Sequence, residues 1–230
     1  QAAYTFSRNL TTLGAGDSSN SNDPLDMDQQ YGPTSWNRPH RFILNYQYDL
    51  PFGTHQGARG VLLNGWSVSG ITTIQTGVPL TITENVRNSI FGASSSRAQL
   101  CAGVTHDSIH TSGSVHDRLG GKSGGSGYIN AAAFCDLPTG GIYGNGTGWG
   151  NSGRGIIRGP GQFNWDISVI KNIEVREGHA FQFRTEFYNA FNTPQFGNPD
   201  TLRSNRETFG QINTTSVNPR IIQFGFKYLF

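Results

Sequence analysis

An acidic stretch near the start of the chain contains the residues best suited to bind a cation. From Asp17 to Asp28 the sequence combines aspartate with serine and asparagine, and calcium prefers such side-chain oxygens as ligands. The stretch lacks the 12-residue spacing with a final glutamate of the helix–loop–helix calcium sites. The same residue types also form solvated turns. We therefore favour a surface loop and leave calcium binding open.

Histidines offer a second kind of candidate chemistry. His106, His110 and His116 lie close together in a polar segment beside Asp107 and Asp117. A zinc site needs about four ligands at short, regular spacings, and this segment has no such pattern. The sequence favours a surface segment without a bound metal.

A glycine-rich run around Ser123 comes closest to a catalytic or phosphate-binding motif. Gly120–Gly125 lacks the Gly-x-Ser-x-Gly pattern that exposes a nucleophilic serine. A second glycine-rich run, Gly140–Gly161, lacks the preceding strand, following helix and Lys-Ser/Thr pair of a phosphate-binding loop. We expect no catalytic residues, no cofactor and no enzymatic activity.

The chain contains two cysteines, Cys101 and Cys135. Two cysteines suit a single disulfide in an oxidising compartment better than a metal cage. The sequence suggests this disulfide but cannot show that the two thiols meet.

Composition narrows the fold class. The 230 residues carry a net charge of +2, with 14% charged residues, 35% hydrophobic residues and 31 glycines. So small a net charge argues against a nucleic-acid partner, and this glycine-rich composition disfavours helices. The N-terminus shows no basic-then-apolar export signal. We expect either that such a signal was removed or that the chain begins within a longer protein.

The strongest pattern is alternation of apolar and polar residues with a period of two, which is typical of strands with two different faces. Ala180–Phe191 places phenylalanines on one face and polar residues on the other, and Phe163–Val175 behaves in the same way. The pattern predicts six long antiparallel strands in sequential order near 3–12, 39–50, 62–82, 163–175, 180–192 and 220–230.

Strand length and connection length together favour a membrane barrel. About 9–11 tilted residues cross a bilayer, and outer-membrane barrels combine short periplasmic turns with long outer loops. The long connections, near 13–37, 84–162 and 192–219, all fall at one end of the predicted sheet. Six strands do not close a barrel, since the smallest barrels have about eight. The chain is therefore predicted to be all-β and to form one section, residues 1–230, of a larger or shared barrel in outer-membrane lipid.

Charged residues on the polar faces of these strands would point into the barrel lumen. We expect them either to line a substrate path or, as we favour, to form lateral charge ladders between neighbouring strands. These residues are Arg41, Asp49, Arg184, Glu186 and Lys227.

Several motifs resemble the late strands of Oar-like TonB-dependent outer-membrane receptors. Asn37–Phe42 with Tyr48–Pro51 resembles one strand, and Asn64–Gly70 with Gln75–Pro79 resembles the next. Further similar segments are Gly150–Arg154, Arg158–Asp166, Phe187–Pro194 and Phe196–Pro199.

The end of the chain is similar to the C-terminal signal that the barrel-assembly machinery reads. Gln223, Gly225, Tyr228 and Phe230 occupy the matching positions. The resemblance implies a bacterial outer-membrane location, assembly by that machinery, and a barrel of roughly 22 strands around an N-terminal plug, energised by the TonB complex. This chain corresponds to the last six strands without the plug, so we do not expect transport by it alone.

Two other functions remain open at this stage. The chain could be a structural or surface-interaction protein in which several copies share one β-assembly. It could also be a soluble β-sandwich binding module, in which case the aromatic faces would pack against each other.

Overall fold

The computed structural model describes residues 1–12, 23, 26–52, 55–86, 95–121, 124–137 and 149–230. Its main element is one antiparallel sheet of six strands, in which each strand pairs with its neighbours in sequence. The predicted all-β meander is therefore confirmed. The strands are β1 (Ala2–Phe6), β2 (His40–Asp49), β3 (Trp66–Gln75), β4 (Gln162–Arg176), β5 (His179–Tyr188) and β6 (Ile221–Leu229).

The register divides the side chains of this sheet between two faces, because directly opposed residues of antiparallel strands point the same way. One face, which we call the apolar face, is mostly aromatic and aliphatic. The other, the polar face, is mostly amide, hydroxyl and charged. The apolar face comprises Tyr4, Phe6, Phe42, Leu44, Tyr46, Tyr48, Trp66, Val68, Ile74, Phe163, Trp165, Ile167, Val169, Ile173, Phe181, Phe183, Phe187, Ile222, Phe224, Phe226 and Tyr228.

The first strand is shorter than the predicted span of 3–12. It ends at Phe6, and Ser7 donates its backbone N–H to the carbonyl of Pro39. Proline has no N–H to return, so the ladder cannot continue along β2. Leu10–Thr11 instead pairs with Gly32–Pro33 in a separate two-stranded sheet.

The predicted strand over 62–82 is also interrupted at both ends. Leu62 belongs to a short helix, α1 (Gly57–Leu63), and β3 begins only at Trp66. Gly65 between them has a φ of +74°, which favours glycine. Beyond the other end of β3, Gly77 passes so close to the Gly159 carbonyl that a Cβ would overlap it. In the described part of the chain, no helix is long and apolar enough to span a membrane.

The two ends of the sheet differ in their connections. At one end, the turn end, β2 joins β3 through residues 50–65 and β4 joins β5 through a tight turn at residues 177–178. At the other, the loop end, the connections span residues 7–39, 76–161 and 189–220. Strand β5 ends at Tyr188, before the predicted end at residue 192. Asn189 and Asn192, which follow it, both adopt a φ of +51°, which is not an extended conformation.

The long connections fold together into a loop region with its own core. Short strands build it, pairing Pro79–Leu80 with Ile157–Arg158, Thr83–Asn85 with Ser95–Arg97, and Gln99–Leu100 with Phe134–Cys135. Single 3-10 turns cover Asp28–Gln30, Asp107–Ile109, His116–Arg118 and Ala131–Ala133. Its buried core consists of Leu80, Ile82, Ala98, Ile109, Tyr128, Ile129, Ala133, Phe134, Ile157, Phe209 and Ile212.

Candidate functional site

The polar face carries all five charged residues that the sequence assigned to a lumen. Arg184 Nη1 lies 3.4 Å from Glu186 Oε1, and Glu186 Oε2 accepts a hydrogen bond from the Tyr188 hydroxyl at 3.0 Å. This ion pair runs along one strand. Among the six described strands, the register sets a neutral residue opposite each charge, so no lateral charge ladder forms between them. The opposed pairs are Arg184 with Gly225, Glu186 with Gln223, Lys227 with Gln182, Asp49 with Ser67, and Arg41 with Thr5 and Gln75.

Near its centre the polar face forms an open concave groove of about 570 Å³. Amide, hydroxyl and carboxyl groups from four strands line it, including Asn45, Ser69, Asp166 and Glu186. Such a surface can hydrogen-bond to a polar solute or to another protein segment.

The apolar face concentrates its ring contacts toward the two ends of the strands. Toward the turn end, Phe181 contacts Tyr228, with ring centroids 5.0 Å apart, and it also contacts Phe226, nearer the middle of β6, at 5.3 Å. At the loop end, Trp165 meets Phe163 and Phe191 edge to face, each at 5.9 Å. Aromatic rings at both ends of an apolar band are typical of a barrel at the two membrane interfaces.

Lys171 is a cation within the apolar face, and sequence reasoning missed how it is accommodated. The register opposes it to Trp66 and Phe183, yet its side chain is buried. The ammonium donates to the carbonyls of Leu62, at 3.3 Å, and Asn64, and it lies 5.2 Å from the centre of the Trp66 ring. The end of α1 therefore satisfies this charge with backbone oxygens.

The four residues of the expected assembly signal divide between the two faces of β6. Gln223 and Gly225 lie on the polar face, and Tyr228 lies on the apolar face. Phe230 stacks on Tyr228 at 5.8 Å, and 92% of its surface is exposed. The His179 ring nitrogen is 2.6 Å from the Tyr228 hydroxyl.

Within the loop region, a disulfide joins Cys101 and Cys135. Next to it, Arg203 contacts Glu84 and, at 2.8 Å, Asp136, and Arg206 lies 3.2 Å from the same Asp136 carboxylate. The hydrogen bond from Arg203 and the charges of Arg203 and Arg206 hold the pKa of Asp136 below its ordinary value. These contacts link three parts of the loop region that are far apart in sequence.

The other candidate chemistry is not assembled among the described residues. His106 and His110 lie with ring centroids 5.8 Å apart, and burial, followed by the nearby charges of His106 and Arg118, lowers the pKa of His110. Across the described ranges, no three His, Cys, Asp or Glu side chains converge on a metal position. Much of the Asp17–Asp28 stretch, and Lys122 and Ser123 of the glycine-rich run, lie outside the described residues.

Comparison with known protein families decides the class of protein. Residues 1–223 match the family model described as an outer membrane beta barrel domain. The chain belongs to this family. The barrels of outer-membrane proteins turn an apolar surface toward lipid, and lipid is the environment that suits the apolar face of this sheet. Neither the curated proteins nor the solved structures contain a significant match.

Proposed function

We propose that this outer-membrane barrel domain is part of the wall of a bacterial TonB-dependent receptor of the Oar-like type. In this proposal the apolar face contacts lipid, the polar face lines the lumen beside a plug, and the loop region covers the outer mouth. The TonB complex would supply the energy for transport. The observation that carries the proposal is the open sheet, whose apolar face has no protein partner in the described chain.

The two edge strands support a barrel larger than this sheet. Among the described strands, β1 and β6 each pair with one neighbour, so each has a row of backbone donors and acceptors without a strand partner there. In hydrocarbon each such group costs several kcal/mol. Further strands must therefore pair with both edges in the membrane.

The form of the polar face favours a plugged lumen over an open water-filled pore. Its groove presents dispersed amides, hydroxyls and carboxylates, and the Arg184–Glu186 ion pair lies on the same face. Such groups can hydrogen-bond to a folded domain packed inside the barrel. The motifs that resemble Oar-like receptors run through the same strands.

Mass and conductance measurements on the full-length protein in detergent and in planar bilayers test this proposal. A plugged single-chain receptor is expected to be monomeric and to pass almost no current in KCl. Mild urea, which unfolds a plug before a barrel, should then open a large conductance. A ring of several copies with a constant open conductance would contradict the proposal.

That second outcome corresponds to the alternative function, an oligomeric β-assembly. In a six-strand meander the first and last strands run in opposite directions, so β6 of one copy could pair antiparallel with β1 of the next. Cysteines placed at Ala3 and Gln223, which lie on the edge strands, should cross-link neighbouring copies only in the oligomeric arrangement.

We also propose that the end of β6 is recognised by the barrel-assembly machinery. Deleting Phe230 should lower the amount of full-length receptor inserted in the outer membrane without reducing its export to the periplasm. Lys227→Gln, on the polar face of the same strand, is the matched control. Equal insertion of wild type and the deletion would contradict this role.

A further inference from the structure

A groove of about 590 Å³ crosses the apolar face at the loop end of the sheet. Its floor is formed by Tyr4, Phe42 and Ile74, three neighbouring side chains of the apolar face. Its rim is formed by His40 and Arg158 and by the backbone around Gly77 and Gly159. The groove therefore combines an apolar floor with a basic rim.

Arg158 reaches this rim because of the short strand that carries it. Its neighbour Ile157 is buried in the core of the loop region, with 1% of its surface exposed. Successive side chains of a strand point to opposite sides, so Arg158 projects away from that core and over the sheet. Its backbone carbonyl accepts a hydrogen bond from the Tyr128 hydroxyl at 2.9 Å, which fixes the strand.

The guanidinium of Arg158 has unused donors. Among the described residues the guanidinium makes one hydrogen bond, to the Gly77 carbonyl, and it is long at 3.4 Å. Within the described part of the chain Arg158 forms no salt bridge, and neither does Arg38, which donates to the carbonyl of the adjacent Thr76 at 2.7 Å. A guanidinium presents five N–H donors in a fork that suits phosphate.

His40 adds a ring nitrogen to the same rim. Its Nδ1 lies 2.8 Å from the Tyr4 hydroxyl, and the two rings stack with centroids 6.2 Å apart. When Tyr4 donates to Nδ1, the proton of the neutral ring is on Nε2, which can donate to an anionic oxygen.

We propose that this groove binds one membrane lipid with an anionic phosphate headgroup. The acyl chain lies on Tyr4, Phe42 and Ile74, and the phosphate accepts hydrogen bonds from Arg158 and His40. The groove is continuous with the lipid-facing surface of a barrel domain, so lipid reaches it without leaving the membrane. The charge at the rim selects an anionic lipid over a zwitterionic one.

Native mass spectrometry of the full-length protein in detergent tests the site. The probes are phosphatidylglycerol and phosphatidylcholine with identical acyl chains. Both headgroups carry a phosphodiester, but the choline cation of phosphatidylcholine is repelled by Arg158, so the protein should prefer phosphatidylglycerol by about tenfold. Arg158→Gln should abolish this preference, and Arg158→Lys should retain part of it.

Arg220→Gln is the matched control, since Arg220 is also an exposed cation at the loop end, immediately before β6. It should leave the preference unchanged. Equal loss in Arg158→Gln and Arg220→Gln would show general surface charge and overturn the site, as would equal binding of the two lipids by wild type. An unchanged heat-modifiable gel mobility verifies that each variant is folded.

Inorganic phosphate separates a lipid site from a simple anion site. Because the acyl chain supplies part of the affinity, millimolar phosphate should not displace phosphatidylglycerol. Full displacement would show that the rim alone binds and that the apolar floor has no role. Failure of these tests leaves the receptor proposal intact, because that proposal is decided by mass and conductance.

Discussion

The sheet and the loop region are stabilised in opposite ways. In the loop region, aliphatic and aromatic side chains are buried against one another, and Ile82 and Ile129 have 0% and 2% of their surface exposed. In the sheet, Phe224 and Phe226 remain 67% and 70% exposed. The loop region therefore packs like a domain in water, whereas the sheet leaves its largest hydrophobic side chains for another environment to cover.

This difference indicates the environment that suits each region, which is water for the loop region and lipid for the apolar face of the sheet. Burial of apolar surface stabilises the loop region within the chain itself. The inner strands of the sheet complete their backbone hydrogen bonds with their neighbours, but the outer edges of β1 and β6 stay unpaired within it, and its apolar face is suited to lipid. The two regions should consequently respond to different changes, and four predictions follow this contrast from the largest expected effect to the smallest.

Phe134→Ala should destabilise the loop region most. Phe134 is buried in the core and meets Phe209 edge to face at 5.6 Å, and loss of such a ring costs about 3–5 kcal/mol. Limited proteolysis in the loop region should become faster, while heat-modifiable gel mobility, which reports the barrel, stays unchanged. Loss of barrel insertion would show that the two regions do not fold independently.

Removing the disulfide should have the next largest effect. The bond closes a loop with a sequence separation of 34, and in the chain-entropy model such a bond stabilises by about 3–4 kcal/mol. The double variant Cys101→Ser, Cys135→Ser should lower the denaturant midpoint of the loop region only. An equal shift in the denaturant midpoint of the barrel would show that the disulfide stabilises both regions, and it would contradict the contrast between them.

Phe226→Arg tests the sheet. Phe226 lies in the middle of β6 on the apolar face, and an arginine at mid-membrane depth costs about 2–4 kcal/mol. Urea titration of the protein refolded into vesicles should show this loss. Gln223→Arg, on the polar face of the same strand, is the control and should cost less, and equal losses would show that β6 does not face lipid.

The smallest of the four expected effects is a loss of stability of the loop region in acid. The pKa of Asp136 is lowered by the hydrogen bond and charge of Arg203, and that of Asp117 chiefly by hydrogen bonds from Ser114. A lowered pKa in the folded state means that the stabilisation is complete above the ordinary value near pH 4 and is lost as the pH falls through the folded pKa.

Proteolysis of the loop region should accordingly accelerate below about pH 4. Asp136→Asn should remove part of that pH dependence without altering the barrel transition. A pH dependence identical in wild type and in the variant would exclude Asp136 as a contributor.

The two regions also differed in how well they could be predicted. Period-two alternation identified all six sheet strands and the face of residues such as Phe183 and Arg184, because each strand repeats the same pattern over 5 to 15 residues. The loop region has strands of two or three residues, which are too short to show a period. Its core joins residues such as Ile82 and Ile212 that are far apart in sequence.

Errors in the sheet itself arose where a distant residue decides the local structure. Leu62 fits a strand pattern, yet it lies in the last turn of α1, and its backbone carbonyl accepts hydrogen bonds from Trp66 Nε1 and from Lys171. The burial of Lys171 on the apolar face follows from the same contact. Neither can be inferred from the residues adjacent in sequence.

The side-chain amide of Gln195 joins the wall to the loop region. Beyond the end of β5, Gln195 accepts from the Phe163 N–H and donates to the Phe163 carbonyl, both at 2.7 Å, as a neighbouring strand would do. Gln195 is buried, and only an amide offers both an acceptor and a donor in this geometry. In evolutionary terms, a change to glutamate at this position would replace the amide nitrogen with a carboxylate oxygen. That oxygen would then face the Phe163 carbonyl oxygen in place of a hydrogen-bond donor. Selection is therefore expected to tolerate many changes in the loops while keeping an amide at residue 195.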